Sequence, residues 1–494
     1  MPCTTILVGK KASYDGSTMV ARNEDSPNGT FNPKRLVTVD PTKRKSYTSV
    51  LGRLTVPLPD GGARYTAMPN VDLKEGLWEE AGINAHNVGM SATETLTTNE
   101  RVRAADPFVA YRAAQGAPGE DGYVPEQAGG IGEEDLLTLV LPYATSARGG
   151  VLRLGALLAQ YGTYEMNGIA LSDVNEVWWL ETVGGHHWIA RRVPDDCYVT
   201  MPNQLGLDSF DLDDALGGGT EHLCSADLGD WMEKNHLDLT MGGDGRRFNP
   251  REAFGSHSDS DHVYNTPRAW SMQRFLSPHA GPWDTTAPSE DFGPESDHLA
   301  WCRVPERKVT IEDVKYVLSL HYQGTPYDPY AQAGCPDRRG LYRPIGINRN
   351  SQLSVLQLRP YVGEAWQALQ WVALGSNAFN ALVPLYANVD GTPAYLENTT
   401  MRVTSENFYW ANRLIGALAD AAFGACLPHV ERYQEAVGST CTALVRSCDE
   451  AGGGREAAND AVADECRRQT DELLDKVLYE TSMRMRNGFS RSDG

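Results

Sequence analysis

An α+β fold built on antiparallel sheets is what this sequence predicts, and three observations carry the prediction. Between Thr4 and Met201, short β-rich runs are separated by turn signals. Those runs are not interleaved regularly with long helices, as the crossovers of a parallel sheet require. From Ser405 to Met485 the patterning turns wholly helical.

The first two runs, 4–8 and 17–21, are joined through Lys10-Lys11 and an Asp15-Gly16 turn and read as a β-hairpin. Cys3 and Arg22 then stand at the same open end. Further strands are expected at 87–92, 168–172, 176–181, 187–193 and 199–201. Helical patterns interrupt them at 133–143 and 151–161, the second with Leu152, Ala156 and Ala159 spaced for one buried face. Residues 208–260 and 277–295 are rich in Gly, Asp, Ser and Pro and read as surface loops, a rim or lid around the core. A second group of elements runs over 308–358, with a β-rich stretch at 354–358. Helices follow at 406–425, 428–447 and 456–485, with Gly452 to Gly454 as the break before the last.

At 494 residues, with 41% apolar and 22% charged residues, the chain has the composition of a globular protein able to bury a large core. The formal charge of −21 argues against nucleic acid or an anionic membrane as partner, since phosphate binding needs a basic footprint. No stretch approaches the roughly 18 apolar residues of a membrane span, and the first twenty residues lack a basic start followed by an apolar run, so a cytoplasmic protein is expected. Nine cysteines are scattered without a Cys-x-x-Cys pair, which argues against a zinc knuckle and a redox dithiol. Most of them fit as small buried apolar residues. Cys3 requires a separate account.

A thiol is a strong nucleophile only as thiolate, so a catalytic cysteine needs a base or a cation beside it. A cysteine at the amino terminus carries its own base, because an α-amine titrates near about 7.7 to 8.0. The site would further need a cation favouring thiolate, a carboxylate to orient the amine, and donors for an oxyanion. Arg22 and Asp25, in Ala-Arg-Asn-Glu-Asp at the end of the second strand, match the first two. A plain surface ion pair, worth less than about 1 kcal/mol, matches the same spacing.

The stretch Cys-Thr-Thr-Ile-Leu-Val-Gly-Lys-Lys-Ala-Ser at 3–13, followed by Asp-Gly-Ser-Thr-Met-Val-Ala-Arg-Asn-Glu-Asp-Ser at 15–26, resembles the opening of the PepD-type (dipeptidase A) cysteine dipeptidases. Accompanying blocks are Glu-Ala-Gly-Ile-Asn-Ala-His-Asn-Val-Gly-Met-Ser-Ala-Thr-Glu-Thr at 80–95, Gly-His-His-Trp-Ile-Ala at 185–190 and Met-Pro-Asn-Gln at 201–204. Tyr-Asn-Thr-Pro-Arg-Ala-Trp at 264–270, Arg-Pro-Ile at 343–345 and Trp-Val-Ala-Leu-Gly at 371–375 extend the match in order along most of the chain. That family resembles the N-terminal-nucleophile (Ntn) hydrolases, which implies an αββα sandwich: two antiparallel sheets between helical layers, here with extra C-terminal helices. Residues 3–400 are then the catalytic domain with long loop insertions, and 401–494 a helical region packed on the same domain. The resemblance implies Cys3 as nucleophile, Arg22 as support for its ionisation, Asp25 as holder of the terminal amine, Asn203 as donor to the oxyanion or the amine, and Arg268 as the later active-site arginine. It implies hydrolysis of short peptides, mainly dipeptides, through a thioester, with no cofactor and no metal. Glu94, with Thr93 beside it, is the acid proposed to capture the substrate's ammonium. The C-terminal helices supply surface for self-association, and a homo-oligomer is expected.

Two departures qualify the resemblance. The related bile salt hydrolases and penicillin V acylases have a further oxyanion-hole Asn where this chain has Ser91-Ala92-Thr93-Glu94. A main-chain N–H near 92–94 must therefore serve, or Asn203 acts without that partner. Met1 and Pro2 also precede the cysteine, so cleavage between Pro2 and Cys3 is required to free the amine. An amidase of the acylase type, or an unprocessed and inactive binding homologue, are the alternative readings. Other constellations carry less. His186 and His187, as strand neighbours, would point to opposite faces and could not share one ion. The stretch Ser-His-Ser-Asp-Ser-Asp-His at 256–262 reads as a solvated acidic loop more simply than as a cation site. There is no Gly-x-Ser-x-Gly elbow and no His-Glu-x-x-His helix. His86 reads as a turn residue, Gly452 to Gly454 as a helix break rather than a phosphate loop, and Trp178-Trp179 as core.

Overall fold

The β-rich runs assemble into two antiparallel sheets. The computed structural model describes residues 3–26, 30, 32–242, 245–280, 283 and 292–485. Met1, Pro2 and 284–291 of the second predicted loop lie outside the described residues. The strands that build the two sheets are β1 Cys3–Val8, β2 Thr18–Asp25, β3 Ala81–Ile83, β4 Gly89–Thr95, β5 Asn167–Ser172, β6 Val177–Thr182 and β7 Trp188–Arg192. They continue with β8 Tyr198–Met201, β9 His222–Cys224, β10 Cys302–Arg303, β11 Asn350–Leu358, β12 Ala368–Leu374 and β13 Val383–Tyr386. One sheet has the order β10-β8-β1-β2-β11-β12-β13 and the other β9-β7-β6-β5-β4-β3. The predicted hairpin forms, with Cys3 opposite Glu24 and Thr5 opposite Arg22. Its second strand runs four residues further than local patterning indicates, to Asp25, because β11 pairs along its other edge with Leu353 opposite Asn23 and Asn350 opposite Asp25.

The pleat sends alternate side chains to opposite faces, and so sorts the core into layers. Leu7, Val20 and Leu356 face Ala170, Trp179 and Ile189 of the other sheet. The helices that cover the sheets are α1 Glu133–Val140, α2 Ala147–Tyr161, α3 Thr266–Leu276, α4 Phe408–Ala421, α5 Phe423–Ala451 and α6 Arg455–Ser482. Ile6, Val8, Ala21 and Val355 point outward into a cluster with Ile415, Val437 and Val462 of α4 to α6. On the second sheet's outer face, Met90, Leu171, Trp178 and Leu180 pack with Leu137, Val151 and Leu154 of α1 and α2. Trp178 and Trp179 are both core, as expected, but in different layers. Among the described residues no helix is long and apolar enough to cross a membrane.

Three expectations need correction. The buried face of α2 is formed by Val151, Leu154 and Leu158, and Leu152 is 43% exposed. Gly150 and Gly155 decide this, because Leu171 and Trp188 sit where their Cβ atoms would be, at 2.2 and 2.1 Å. The stretch 208–260 is not simply loop: it carries short helices at Leu212–Leu216, Leu228–Lys234 and Pro250–Phe254, and Phe210, Trp231, Phe248 and Phe254 anchor it in the core between the sheets. Finally, Pro428 lies inside α5, which starts at Phe423, rather than at the start of a helix. The break at Gly452 falls as expected, with a left-handed φ of 60° that glycine adopts readily.

Gly82 of β3 admits no side chain, since a Cβ there would lie 1.8 Å from the Thr66 carbonyl oxygen. Gly82→Ala is expected to lower unfolding stability by about 1–3 kcal/mol, the usual range for overpacking. Urea denaturation checks this, and an unchanged midpoint would contradict the close packing of β3.

Candidate active site

Alternation along β1 turns Cys3, Thr5 and Leu7 toward the second sheet, and their partners Glu24, Arg22 and Val20 on β2 share that face. Arg22 is therefore driven into the layer between the sheets, where it is buried. Its guanidinium is fully engaged. Nη1 donates to Cys3 Sγ at 3.0 Å and to the Thr93 carbonyl at 2.6 Å, Nε donates to Ser91 Oγ at 3.0 Å, and Nη2 donates to the Ala92 carbonyl at 3.1 Å and to the Glu80 carboxylate. The β4–β5 register slips between Ala92 and Glu94, a bulge that takes Thr93 out of the ladder and leaves its carbonyl for Arg22. Burial pushes the Cys3 thiol up, and the Arg22 guanidinium beside it acts in the opposite direction.

Asn203 follows β8, whose Met201 stands opposite Thr5, so two residues further on it comes level with Cys3. Its Oδ1 accepts from the Cys3 main-chain N–H at 3.2 Å and from Arg268 Nη2 at 2.8 Å, and its Nδ2 donates to the Thr95 carbonyl at 3.0 Å. A guanidinium can only donate, so the amide atom facing Arg268 must be the oxygen, which fixes the orientation of this side chain. The loop bearing Asn203 is held from the other sheet: Glu181 Oε1 accepts from Gly206 N at 2.7 Å and Leu207 N at 3.3 Å. Burial pushes the Glu181 carboxyl up to about 7.

Arg268 enters from the first turn of α3. Its Nη1 donates to the Cys3 carbonyl and to Thr4 Oγ1 at 2.7 Å, and its Nε to the Tyr264 carbonyl at 2.7 Å. Asn265 Oδ1 accepts from Nη2 at 2.8 Å, and Asn265 in turn donates to Asp261 Oδ1 at 2.6 Å. Asp261 is buried and caps the helix Asp259–Tyr264 with Ser258. The acidic stretch 256–262 is exposed over 257–260, as a solvated stretch should be, but 259–262 form the first turn of a helix and Asp261 turns inward. It is a helix cap that steadies the arginine through Asn265.

Asp25 lies on the same hairpin, buried, with its carboxylate on the side chains of Arg343 and Asn350. The Cys3 main-chain N–H is held by Asn203. Glu94 is brought to the site across the sheets: it is wholly buried, accepts from Thr5 Oγ1 at 2.7 Å on Oε2, and its Oε1 has no hydrogen-bond partner among the described residues. Burial pushes its carboxyl up to about 8, opposed by Arg268. Thr93 contributes its carbonyl to Arg22.

Sequence reasoning missed Glu80, Lys34, Glu24, Glu181 and Arg343. Each has the residue type of a surface position, and nothing in its neighbours marks it as buried. The opposite-face argument for His186 and His187 also fails: they sit in the turn before β7, and both Nδ1 atoms meet the Asp106 carboxylate, at 3.2 and 2.8 Å. Their partner is a carboxylate. Among the described residues no group of three or more His, Cys, Asp or Glu side chains is arranged to hold a metal ion. His86 is in a turn, its N–H on Asn84 Oδ1 at 2.9 Å.

Residues 2–436 match peptidase family C69. The chain is 58% identical to a dipeptidase of Bifidobacterium longum and 50% identical to a probable dipeptidase A of Streptococcus pyogenes, in both cases over 100% of each chain. It is 40% identical to dipeptidase A of Lactobacillus helveticus, over 97% of this chain and 96% of the relative.

The raised Glu94 carboxyl makes a prediction about stability. The folded chain keeps a proton that the unfolded chain, with a glutamate near about 4.3, releases. The associated stability is fully present below about pH 4.3 and is lost as pH rises through about 8. Glu94→Gln removes that loss, so its urea stability relative to the native chain should rise between about pH 5 and about pH 9. A difference independent of pH would contradict the burial of an uncompensated carboxyl here.

Proposed function

The chain belongs to peptidase family C69, and from that premise we propose that it is a dipeptidase whose nucleophile is the sulfur of Cys3. One observation carries the reading: both reactive atoms of a single residue are already held, the sulfur 3.0 Å from Arg22 Nη1 and the nitrogen 3.2 Å from Asn203 Oδ1. Cleavage between Pro2 and Cys3 turns that nitrogen into an α-amine, a base of about 7.7 to 8.0 beside the thiol. Two antiparallel sheets with helices on their outer faces support assignment to the Ntn-hydrolase fold. The C-terminal region 401–494 shares the apolar cluster of the first sheet and is taken as part of the same catalytic unit.

In this mechanism the amine takes the thiol proton and the thiolate, facing Arg22, attacks the scissile carbonyl carbon. The protonated amine then gives its proton to the leaving nitrogen as the C–N bond breaks, and a thioester remains. Water attacks the thioester, the amine accepts its proton, and the C–S bond breaks to release the acid and restore the thiol. The Ala92 N–H is taken by the Glu80 carbonyl at 2.8 Å, so the N–H of Thr93, which the ladder skips, is the main-chain donor assigned to the oxyanion, with Asn203. Asn203 Oδ1 accepts one proton of the freed amine and Asp25 is assigned to a second. Arg268 holds the Cys3 carbonyl. Glu94 receives the substrate's ammonium: an incoming cation supplies the partner Oε1 lacks and draws the carboxyl back to its charged form. Thr93 lines the same subsite. The same reading keeps the enzyme in the cytoplasm, in line with nine unpaired cysteines. It also allows a homo-oligomer through the end of α6, where Leu478 and Tyr479 are exposed.

Cys3→Ala should abolish dipeptide turnover while leaving the thermal unfolding profile native. Active enzyme should give an intact mass beginning at Cys3, and turnover should be confined to unmodified dipeptides in a panel that includes a bile-salt amide and penicillin V. Full activity of Cys3→Ala, or an active preparation still carrying Pro2, would overturn the mechanism; preferential cleavage of the amides would make the enzyme an acylase.

A further inference from the structure

Behind Cys3 and Arg22 lie three buried charged side chains, Glu80, Lys34 and Glu24, that the reaction steps do not use. Arg22 Nη2 pairs with Glu80 Oε2; Lys34 Nζ stands 3.4 Å from Glu80 Oε1 and 2.8 Å from Glu24 Oε2, and donates to the Trp78 carbonyl at 3.0 Å. All four side chains are essentially inaccessible to water. An unbalanced charge in such a place is costly, so its counter-charges must be found among the groups packed around it. Burial, with Glu80 beside it, pushes the Glu24 carboxyl up, and Lys34 acts in the opposite direction. Glu80 thus lies between two cations, with Arg22 on one carboxylate oxygen and Lys34 on the other. The sulfur of Cys3, 3.0 Å from Arg22 Nη1, stands on the other side of the same guanidinium, where it feels the charge held behind Arg22.

We propose that Glu80 and Lys34 are positioning residues for the nucleophile: Glu80 fixes the Arg22 guanidinium against the sulfur, and Lys34 holds Glu80 in place and adds a buried positive charge behind Arg22. The inference rests on Cys3 being the nucleophile of the proposed reaction. The other charged groups facing Cys3 and Arg22 are Glu94 from β4 and Glu133 from α1, both carboxyls raised by burial, and Arg268, which lies on the Cys3 carbonyl. None of them touches the far edge of the guanidinium, which Glu80 occupies.

The test reads thiolate formation directly, as the rate of Cys3 alkylation by iodoacetamide against pH, followed by mass spectrometry of the N-terminal peptide of the mature enzyme. Lys34→Met removes a cation and should move the midpoint up by about one pH unit or more, with kcat at neutral pH falling about tenfold per unit and KM little changed. Glu80→Gln removes an anion and should move the midpoint down. Lys34→Arg keeps the charge and should restore the native midpoint. Shifts of opposite sign are what a merely structural role would not produce. Midpoints that stay put, or move the same way in Lys34→Met and Glu80→Gln, would overturn the inference. So would a Lys34→Arg enzyme that folds with the midpoint expected of Lys34→Met. Alkylation does not depend on hydrolysis, so an active Cys3→Ala enzyme would overturn the nucleophile assignment without bearing on these shifts.

Discussion

The site is organised around one buried guanidinium. Arg22 takes a charge into the layer between two sheets, where an unsatisfied guanidinium would be strongly destabilising. What makes the placement tolerable is that six acceptors converge on it: the Cys3 sulfur, Ser91 Oγ, the carbonyls of Glu80, Ala92 and Thr93, and the Glu80 carboxylate. Five of these belong to the opposite sheet or to the chain leading into it. The arginine therefore does two things at once, joining the sheets through polar contacts and presenting an N–H to the sulfur. Because its other edges are tied, it cannot turn away from Cys3 without breaking bonds elsewhere, and this is preorganisation in the structural sense.

A second arginine grips the same residue from the other side. Arg268 arrives from a helix in the outer layer and binds the Cys3 carbonyl, while also holding the Asn203 oxygen that accepts from the Cys3 nitrogen. Sulfur, nitrogen and carbonyl of residue 3 thus each have a partner from a different element. Behind those partners stand further supports, Glu181 under the Asn203 loop and the Asp261–Asn265 pair under Arg268. The positional precision of the candidate nucleophile comes from this two-deep arrangement rather than from the hairpin alone.

The acidic side chains near the site behave differently from the chain's surface acids. Glu24, Glu94 and Glu181 are all buried and all raised by burial, but their surroundings differ: Lys34 beside Glu24, two main-chain N–H groups on Glu181, and only a threonine hydroxyl on Glu94. A carboxyl with an unused oxygen in a dry site is the one that gains most from an incoming cation. Burial of similar groups thus has different consequences in different places, depending on how many partners the fold supplies.

Local patterning was enough to determine the hairpin, six of the strands after it (β4 to β8 and β11), the closing helices and the break at Gly452. It also put Cys3 and Arg22 at one open end, because strand pairing across a short turn is a near-neighbour effect. The ordered blocks along the chain carried Asn203 and Arg268 into the same site. Local patterning did not show which face of α2 is buried, that Asp25 is held by Arg343 and Asn350, that 256–262 caps a helix, or that Glu80 and Lys34 are buried behind Arg22. The period of a helix or strand says which residues share a face, but not what that face meets. Those partners lie tens to hundreds of residues away, and only the packing of one sheet on the other brings them within bonding distance of residue 22.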